Sequence, residues 1–299
     1  MGKYISEHNK SILKRYKMHC KNKGLTKKSI EAMLDTDLRL FLEYIGDIDI
    51  EDITHEICSD FLIYCSEERN NKAKALARKF TSINTFFDTL VKQDVISKNP
   101  MNKLEKPKIR KTIRPHLDLD EYHTLSKYID SVNDLRGAAL ISLLYSSGCR
   151  LSEVHQLNKD SLDFAKRQFI VCGKGEKERV CMFNAECAMR VKAYLNSRTD
   201  TNPALFISKL NKRWSTKAIQ DFLTTAGKRA GIKKRVHPHL FRHTRAMALL
   251  RAGVPLETIQ RVLGHESIAT TQIYAHNTLD DVQEQVDKID TAMFEKDVI

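Results

Sequence analysis

The chain has 299 residues, with 50 Lys and Arg against 38 Asp and Glu, a formal net charge of +12. At roughly 150 residues per domain this length suggests two domains and excludes a disulfide miniprotein or a lone binding module. The 41% hydrophobic and 29% charged fractions are those of a folded protein, and the excess of positive charge points to a polyanionic partner.

Charge runs in blocks along the first part of the chain. Lys3 to Lys28 holds nine bases and one acid, Glu31 to Glu68 twelve acids and one base, and Arg69 to Lys79 five bases and no acid. Such alternation suggests basic helices turned toward a polyanion and acidic ones turned away. The first hundred residues read as helices throughout. Leu38, Phe41, Leu42, Tyr44 and Ile45 recur at helical spacing, as do Ile83, Phe86, Phe87, Leu90 and Val91, while Gly24 and Gly46 sit at expected element ends. From Glu105 to Pro115 the chain carries five bases, one acid and two prolines, which prevents a continuous helix and predicts an extended basic linker. The second half is mixed. Leu117 to Ile129 and Asp134 to Ser146 read as helices, and Gln168 to Cys172 with Arg179 to Phe183 flank a glycine-bearing turn, a predicted hairpin. Helical patterns resume over 185–196, 215–230, 239–252 and 256–263.

The longest strongly apolar stretch, Ala138 to Tyr145, is interrupted by Ser142 and is far shorter than the ~18 residues a bilayer needs. Met1 to Lys10 has no apolar stretch of the secretory kind. The seven cysteines are odd in number and contain no C-x-x-C, so neither a disulfide framework nor a zinc knuckle is expected, and a reducing cytoplasm is the simplest location.

Five segments gather groups suited to a single chemistry. They are Gly148 to Glu153, Gly173-Lys174-Gly175, His237 to His243, Leu263-Gly264-His265 and Thr271 to Tyr274. In this order they resemble the tyrosine recombinase family, the phage integrases and Xer-type enzymes, over Leu117 to about Asp281. Residue by residue, the resemblance assigns the catalytic set to Arg150, Lys174, His239, Arg242, His265 and the nucleophile Tyr274, with Glu153 as the supporting acid. It implies a mainly α fold with a small β-sheet: a helical core-binding domain over 1–104, the basic linker 105–115, and a mixed α/β catalytic domain over 116–299. Arg245 and Met247 depart from the Xer-type pattern, and Arg245 adds a further candidate phosphate contact.

Chemistry explains why these residue types are wanted. Phosphodiester cleavage develops extra negative charge on the non-bridging oxygens, so two guanidiniums, Arg150 and Arg242, stabilise what develops rather than what binds. Gly148 is suited to end one helix and Ser152 to cap the next, leaving the Arg150 side chain free at the junction. His239 and Arg242, three apart, share one helix face. A phenol with a pKa of about 10 needs proton removal and neighbouring positive charge, supplied by His239 as general base, while Lys174 protonates the leaving 5′ oxygen and His265 hydrogen-bonds the phosphate. The 3′-phosphotyrosyl link conserves the bond's free energy, so no cofactor is expected, and the chain has no G-x-x-x-x-G-K-[ST] loop.

The partner implied is double-stranded DNA, gripped through Lys72, Lys74, Arg78 and Lys79 on one helix and Lys106, Lys108, Arg110, Lys111 and Arg114 in the linker, contacts that position rather than specify. Leu279, Val282, Val286, Ile289 and Met293 form an apolar seam. The family's habit makes this a helix at about 279–296 exchanged between protomers of a DNA-assembled tetramer, with accessory DNA-bending or directionality proteins as further partners. The expected biological role is integration and excision of a mobile element. Alternatives are Xer-type dimer resolution, a type IB topoisomerase-like activity, and a non-catalytic helix-turn-helix regulator built on Pro255 to Tyr274. A zinc site on His237, His239 and His243 lacks the Glu of His-Glu-x-x-His, because position 240 is Leu.

Overall fold

The computed structural model describes residues 5–109, 115–172 and 178–264. The chain divides into two units between Thr112 and Ile113, inside the basic segment that starts at Glu105.

The first unit is helical. Helix α1 (Glu7–Asn22) starts where the Ser6 side chain accepts the Asn9 N–H at 3.1 Å, and Gly24 follows it at φ 72°, a conformation that glycine adopts without steric cost. Helix α2 (Lys27–Ile30) runs without a break through a π-helical stretch, Glu31–Leu38, into α3 (Arg39–Ile45). Helices α4 (His55–Glu67) and α5 (Ala73–Lys92) complete the unit. Ile83, Phe86, Phe87 and Leu90 fall on one stripe of α5 and are all buried, each stabilising the fold by roughly 1.5–3 kcal/mol through burial. Phe86 meets Tyr16 edge-on at 4.9 Å, and Phe41 packs edge-on against Phe61 and Phe87 at 5.1 and 6.0 Å, the geometry that aromatic quadrupoles favour. Buried Asn9 donates to the Ile48 carbonyl at 2.9 Å and accepts from the Ile50 N–H at 3.1 Å, tying α1 to the chain after α3.

The second unit is mostly helical, with one small sheet. Helix α6 (Leu119–Ser131) opens with a reciprocal capping box between Asp118 and Glu121, 2.7 and 3.0 Å. Helix α7 (Leu135–Ser147) is the hub, packed against α6, against α9 (Ala185–Asn196) and against α11 (Pro238–Arg251). Its run from Ala138 to Leu144, apolar but for Ser142, is buried all round, as a helix with no broad polar face must be. Helix α8 (Leu151–Gln156) leads to β1 (Leu162–Asp163), β2 (Gln168–Cys172) and β3 (Glu178–Met182). They form an antiparallel sheet in the order β1-β2-β3, with Phe169 opposite Cys181 and Ile170 opposite Val180. Phe169, Val171 and Cys181 face the core while Ile170, Val180 and Met182 face out, the period-2 alternation of a pleated strand. Helix α10 (Thr216–Arg229) covers α6, and α12 (Leu256–Leu263) packs on α11 through Ile259 and Leu263 against Ala246 and Met247. The expected mainly α fold with a small sheet is what the chain adopts; β1, two residues long, is too short to show in the pattern. Among the described residues no helix is long and apolar enough to cross a membrane.

Candidate active site

Four elements of the second unit converge at the C-terminal end of α7. Gly148 ends that helix in the left-handed region, φ 63° and ψ 19°, and its N–H closes the helix on the Leu144 carbonyl at 3.1 Å. A side chain there meets a second obstacle, since a Cβ on Gly148 lies 2.7 Å from Leu263 Cδ2. The reversal delivers Cys149 and Arg150 to the start of α8. Arg150 itself takes the N-cap position, correcting the expectation for Ser152, and the cap is provided from inside the helix: Glu153 Oε2 accepts the Arg150 N–H at 2.7 Å.

Nor is the Arg150 side chain free at the junction, a second correction. Its Nη1 donates to Glu153 Oε1 at 2.9 Å and its Nη2 to the Gly264 carbonyl at 2.9 Å. The physical reason lies in its neighbours: Glu153 is only 4% exposed, and a buried carboxylate needs cationic donors, while the Gly264 carbonyl follows the last turn of α12 and has no intrahelical donor. A guanidinium has five donors, so these two bonds do not exhaust Arg150, which is partly open to solvent.

Arg242 reaches the same place from α11. It is 4% exposed and donates from Nη1 to the Gly148 carbonyl at 2.9 Å and from Nη2 to the Leu263 carbonyl at 2.6 Å. The two arginines are therefore anchored on consecutive carbonyls, 263 and 264, at the negative end of the α12 dipole. Carbonyl anchors orient a guanidinium without cancelling its full charge, so Arg242 keeps its positive field, while Arg150 shares the Glu153 carboxylate.

Arg179, on the inward face of β3, completes the cluster, and no motif in the sequence singles it out. It holds Glu153 with two bonds, Nη1 to Oε1 at 2.7 Å and Nη2 to Oε2 at 2.9 Å. Burial pushes the Glu153 carboxyl up, but the hydrogen bonds from Arg179 and from the Arg150 backbone outweigh it and hold the group below the ordinary glutamate range. The available signal for Arg179 is its register: it shares a strand face with buried Cys181, two residues on, where a charge demands a partner. Beneath the cluster Cys149 and Cys181 bring their thiols to 3.3 Å.

His239 lies one turn before Arg242 on α11 and is exposed. His237 stands at the N-cap position, where burial and the neighbouring His239 and Arg235 push its imidazole below the usual histidine value. Among the described residues no three His, Cys, Asp or Glu side chains gather in a metal-sized group. Arg245 is half-buried against Gly148, and its Nε has no hydrogen-bond partner among the described residues. Lys174, His265 and Tyr274 lie outside the described residues, as do Arg110, Lys111, Arg114 and the helix expected at about 279–296.

In the first unit Lys72, Lys74, Lys106 and Lys108 are partly or fully exposed. Lys79 is not: it is 5% exposed and its Nζ lies 3.4 Å from Asp37 Oδ1. Asp37, fully buried, also accepts from Ser82 Oγ at 2.8 Å and Arg78 Nη1 at 2.9 Å. Lys79 thus drops out of the expected phosphate contacts, because leaving Asp37 unpaired in the core costs more than an exposed contact gains. Arg78 remains half-exposed with one end on the same carboxylate.

Comparison with known proteins gives the family. The phage integrase family model matches residues 115–280 and the phage integrase SAM-like domain residues 11–109. Tyrosine recombinase XerC of Leptospira interrogans is 30% identical over 291 residues, covering 94% of this chain and 93% of the relative. Tyrosine recombinase XerC of Caldanaerobacter subterraneus is 36% identical over 254 residues, 82% of this chain and 71% of the relative. Among solved structures, the Tn1549 transposon integrase in complex with a circular intermediate DNA superposes with a TM-score of 0.75 at 20% identity, covering 93% and 99% of the two chains, a likeness of fold. With both halves matched by their family models and a relative aligned along nearly its whole length, the chain belongs to the phage integrase family of tyrosine recombinases, enzymes that cleave and rejoin DNA strands.

Proposed function

We propose that Arg150 and Arg242 hold the scissile phosphate of a recombination site and that Tyr274 attacks it, forming a 3′-phosphotyrosyl link that a second strand's 5′ hydroxyl resolves. The observation that carries this reading is the anchoring of two guanidiniums on the consecutive carbonyls of Leu263 and Gly264. His239, three residues before Arg242, accepts the phenol proton, Lys174 protonates the leaving oxygen, and His265 hydrogen-bonds a phosphate oxygen. Glu153 orients Arg150.

The partner is duplex DNA and the working form is a tetramer assembled on it through the terminal helix, in the cytoplasm, with accessory DNA-bending or directionality proteins as further partners. The first unit serves as the core-binding domain, contacting phosphates through Lys72, Lys74 and Arg78, with Lys106, Lys108, Arg110, Lys111 and Arg114 continuing along the linker. Integration and excision of a mobile element is one biological role this chemistry serves. The near-full-length likeness to XerC favours a second, resolution of chromosome or plasmid dimers. A plasmid carrying two copies of the bound site separates them: resolution without any element-encoded factor supports the second, and dependence on such a factor the first.

The chemistry is tested on a nicked suicide duplex bearing a site selected by this protein from a random pool. Wild type accumulates a protein–DNA adduct that survives denaturant but not protease, and Tyr274→Phe does not; an adduct in Tyr274→Phe overturns the assignment of the nucleophile.

A further inference from the structure

We propose that Arg179 is a positioning residue of the cleavage reaction, holding the Glu153 carboxylate so that Arg150 keeps its place and its positive charge for the phosphate. The inference rests on the reading of Arg150 as a phosphate-binding cation.

The bonding is symmetrical. Glu153 Oε1 accepts from Nη1 of both arginines, at 2.9 Å from Arg150 and 2.7 Å from Arg179. Oε2 accepts the Arg150 backbone N–H at 2.7 Å and Arg179 Nη2 at 2.9 Å. Four donors fill the roughly four acceptor directions of one carboxylate, which fixes both the start of α8 and the plane of the Arg150 guanidinium.

Charge gives the arrangement its use. A buried carboxylate paired with Arg150 alone forms a neutral couple and draws the guanidinium toward itself, leaving little net field for a substrate anion. With Arg179 added, the trio carries one net positive charge, and Glu153 is neutralised from the strand side. Arg179 also packs beneath the second anchor of Arg150: a Cβ on Gly264 lies 2.6 Å from Arg179 Cδ and 2.7 Å from its Nε, and Gly264, at φ 66°, is the residue whose carbonyl accepts Arg150 Nη2. One strand residue thus supports both contacts that aim the phosphate-binding arginine. A simple ion pair tying β3 to α8 has no bearing on cleavage apart from folding, and this difference is measurable.

The full-length protein is compared as wild type, Arg179→Gln, Arg179→Lys, the double variant Glu153→Gln with Arg179→Gln, and Arg150→Ala. Each is measured for affinity to the selected duplex, single-turnover adduct formation on its nicked form, and thermal unfolding. Arg179→Gln is expected to bind the duplex within about threefold of wild type yet cleave about 10²-fold more slowly, the scale of a small misplacement of a catalytic group. The double variant is expected to regain about tenfold, because a neutral amide at position 153 no longer draws Arg150 away. Cleavage by Arg179→Gln at the wild-type rate, or a double variant no faster than the single one, overturns the proposal. Should Arg179→Gln fail to fold, Arg179→Lys decides: it keeps the charge and gives up the two-point grip, so a loss of about tenfold in cleavage with unchanged binding supports the positioning role, and a wild-type rate overturns it. An Arg150→Ala variant that cleaves normally defeats the underlying reading of Arg150 independently of either outcome at 179.

Discussion

Arg150 shows how little of a residue's working state is contained in its own position. Glycine at 148 and an arginine two residues later are legible as a helix end followed by a cation, but the carboxylate that caps that cation's own N–H and the carbonyl that anchors its head come from 3 and 114 residues away. Glu153 therefore carries a pH signature. Its carboxyl is held below its unfolded value, so its contribution to stability is complete above the ordinary glutamate range and is lost as the pH falls through the lowered value. Thermal melts of wild type across pH 3–7 are expected to decline on that acid limb, and Glu153→Gln is expected to be less stable at pH 7 and to lose part of the decline; an unchanged acid limb in the variant refutes the assignment. Gly148→Ala is expected to cost about 1–3 kcal/mol, because it places a side chain at φ 63° and drives a methyl into Leu263. Its cleavage rate should fall along with its melting temperature, since Arg150 hangs from that turn.

Helix α5 separates two kinds of lysine that look alike in the sequence. Lys72, Lys74, Arg78 and Lys79 form one basic cluster by composition, yet the rotation of 100° per residue that gives a helix its 3.6-residue turn sends Lys79 to the buried side, onto Asp37 of the π-helical stretch. Lys79→Ala is expected to lower stability by about 1–3 kcal/mol, the cost of leaving a buried charge with fewer donors, with DNA affinity changed only through folding. Lys72→Ala is expected to leave the melting temperature within a degree or two, and to reduce the slope of log affinity against log salt by about 1. Titration of both variants against duplex at several salt concentrations, beside their melts, checks the division; a shallower salt slope in a fully folded Lys79→Ala refutes it. Within the same element the stripe Ile83, Phe86, Phe87 and Leu90 is readable from the sequence, because apolar periodicity is a local property. The acidic partner of Lys79 lies 42 residues away, in a block whose composition alone suggests a solvated acidic face.

At the scale of the molecule, a net charge of +12 and the exposed bases of the first unit lead to a strongly salt-dependent grip on DNA. If six to ten phosphates are neutralised, affinity should fall by roughly 10³ to 10⁵ between 50 and 200 mM salt; a salt-insensitive dissociation constant removes the phosphate-contact proposal. Deleting residues 280–299 is expected to spare binding to a single site and abolish synapsis of two sites, measured by gel shift with one-site and two-site DNA. Unchanged synapsis refutes the helix exchange.

By itself the sequence determined the helices, the hairpin, the basic segment that contains the division between units, and the family with its candidate Arg, His and Tyr positions, because periodicity, turn chemistry and motif spacing are set by residues near one another in the chain. Tertiary structure alone decided which cations are open to a substrate and which are held inside. It brought Arg179 of β3 and the end of α12 onto Arg150, and it turned Lys79 inward to Asp37. Those outcomes depend on which buried carboxylate or carbonyl lies within about 3 Å of each positive group, and the charge of a side chain says only that it needs a partner when water is taken away.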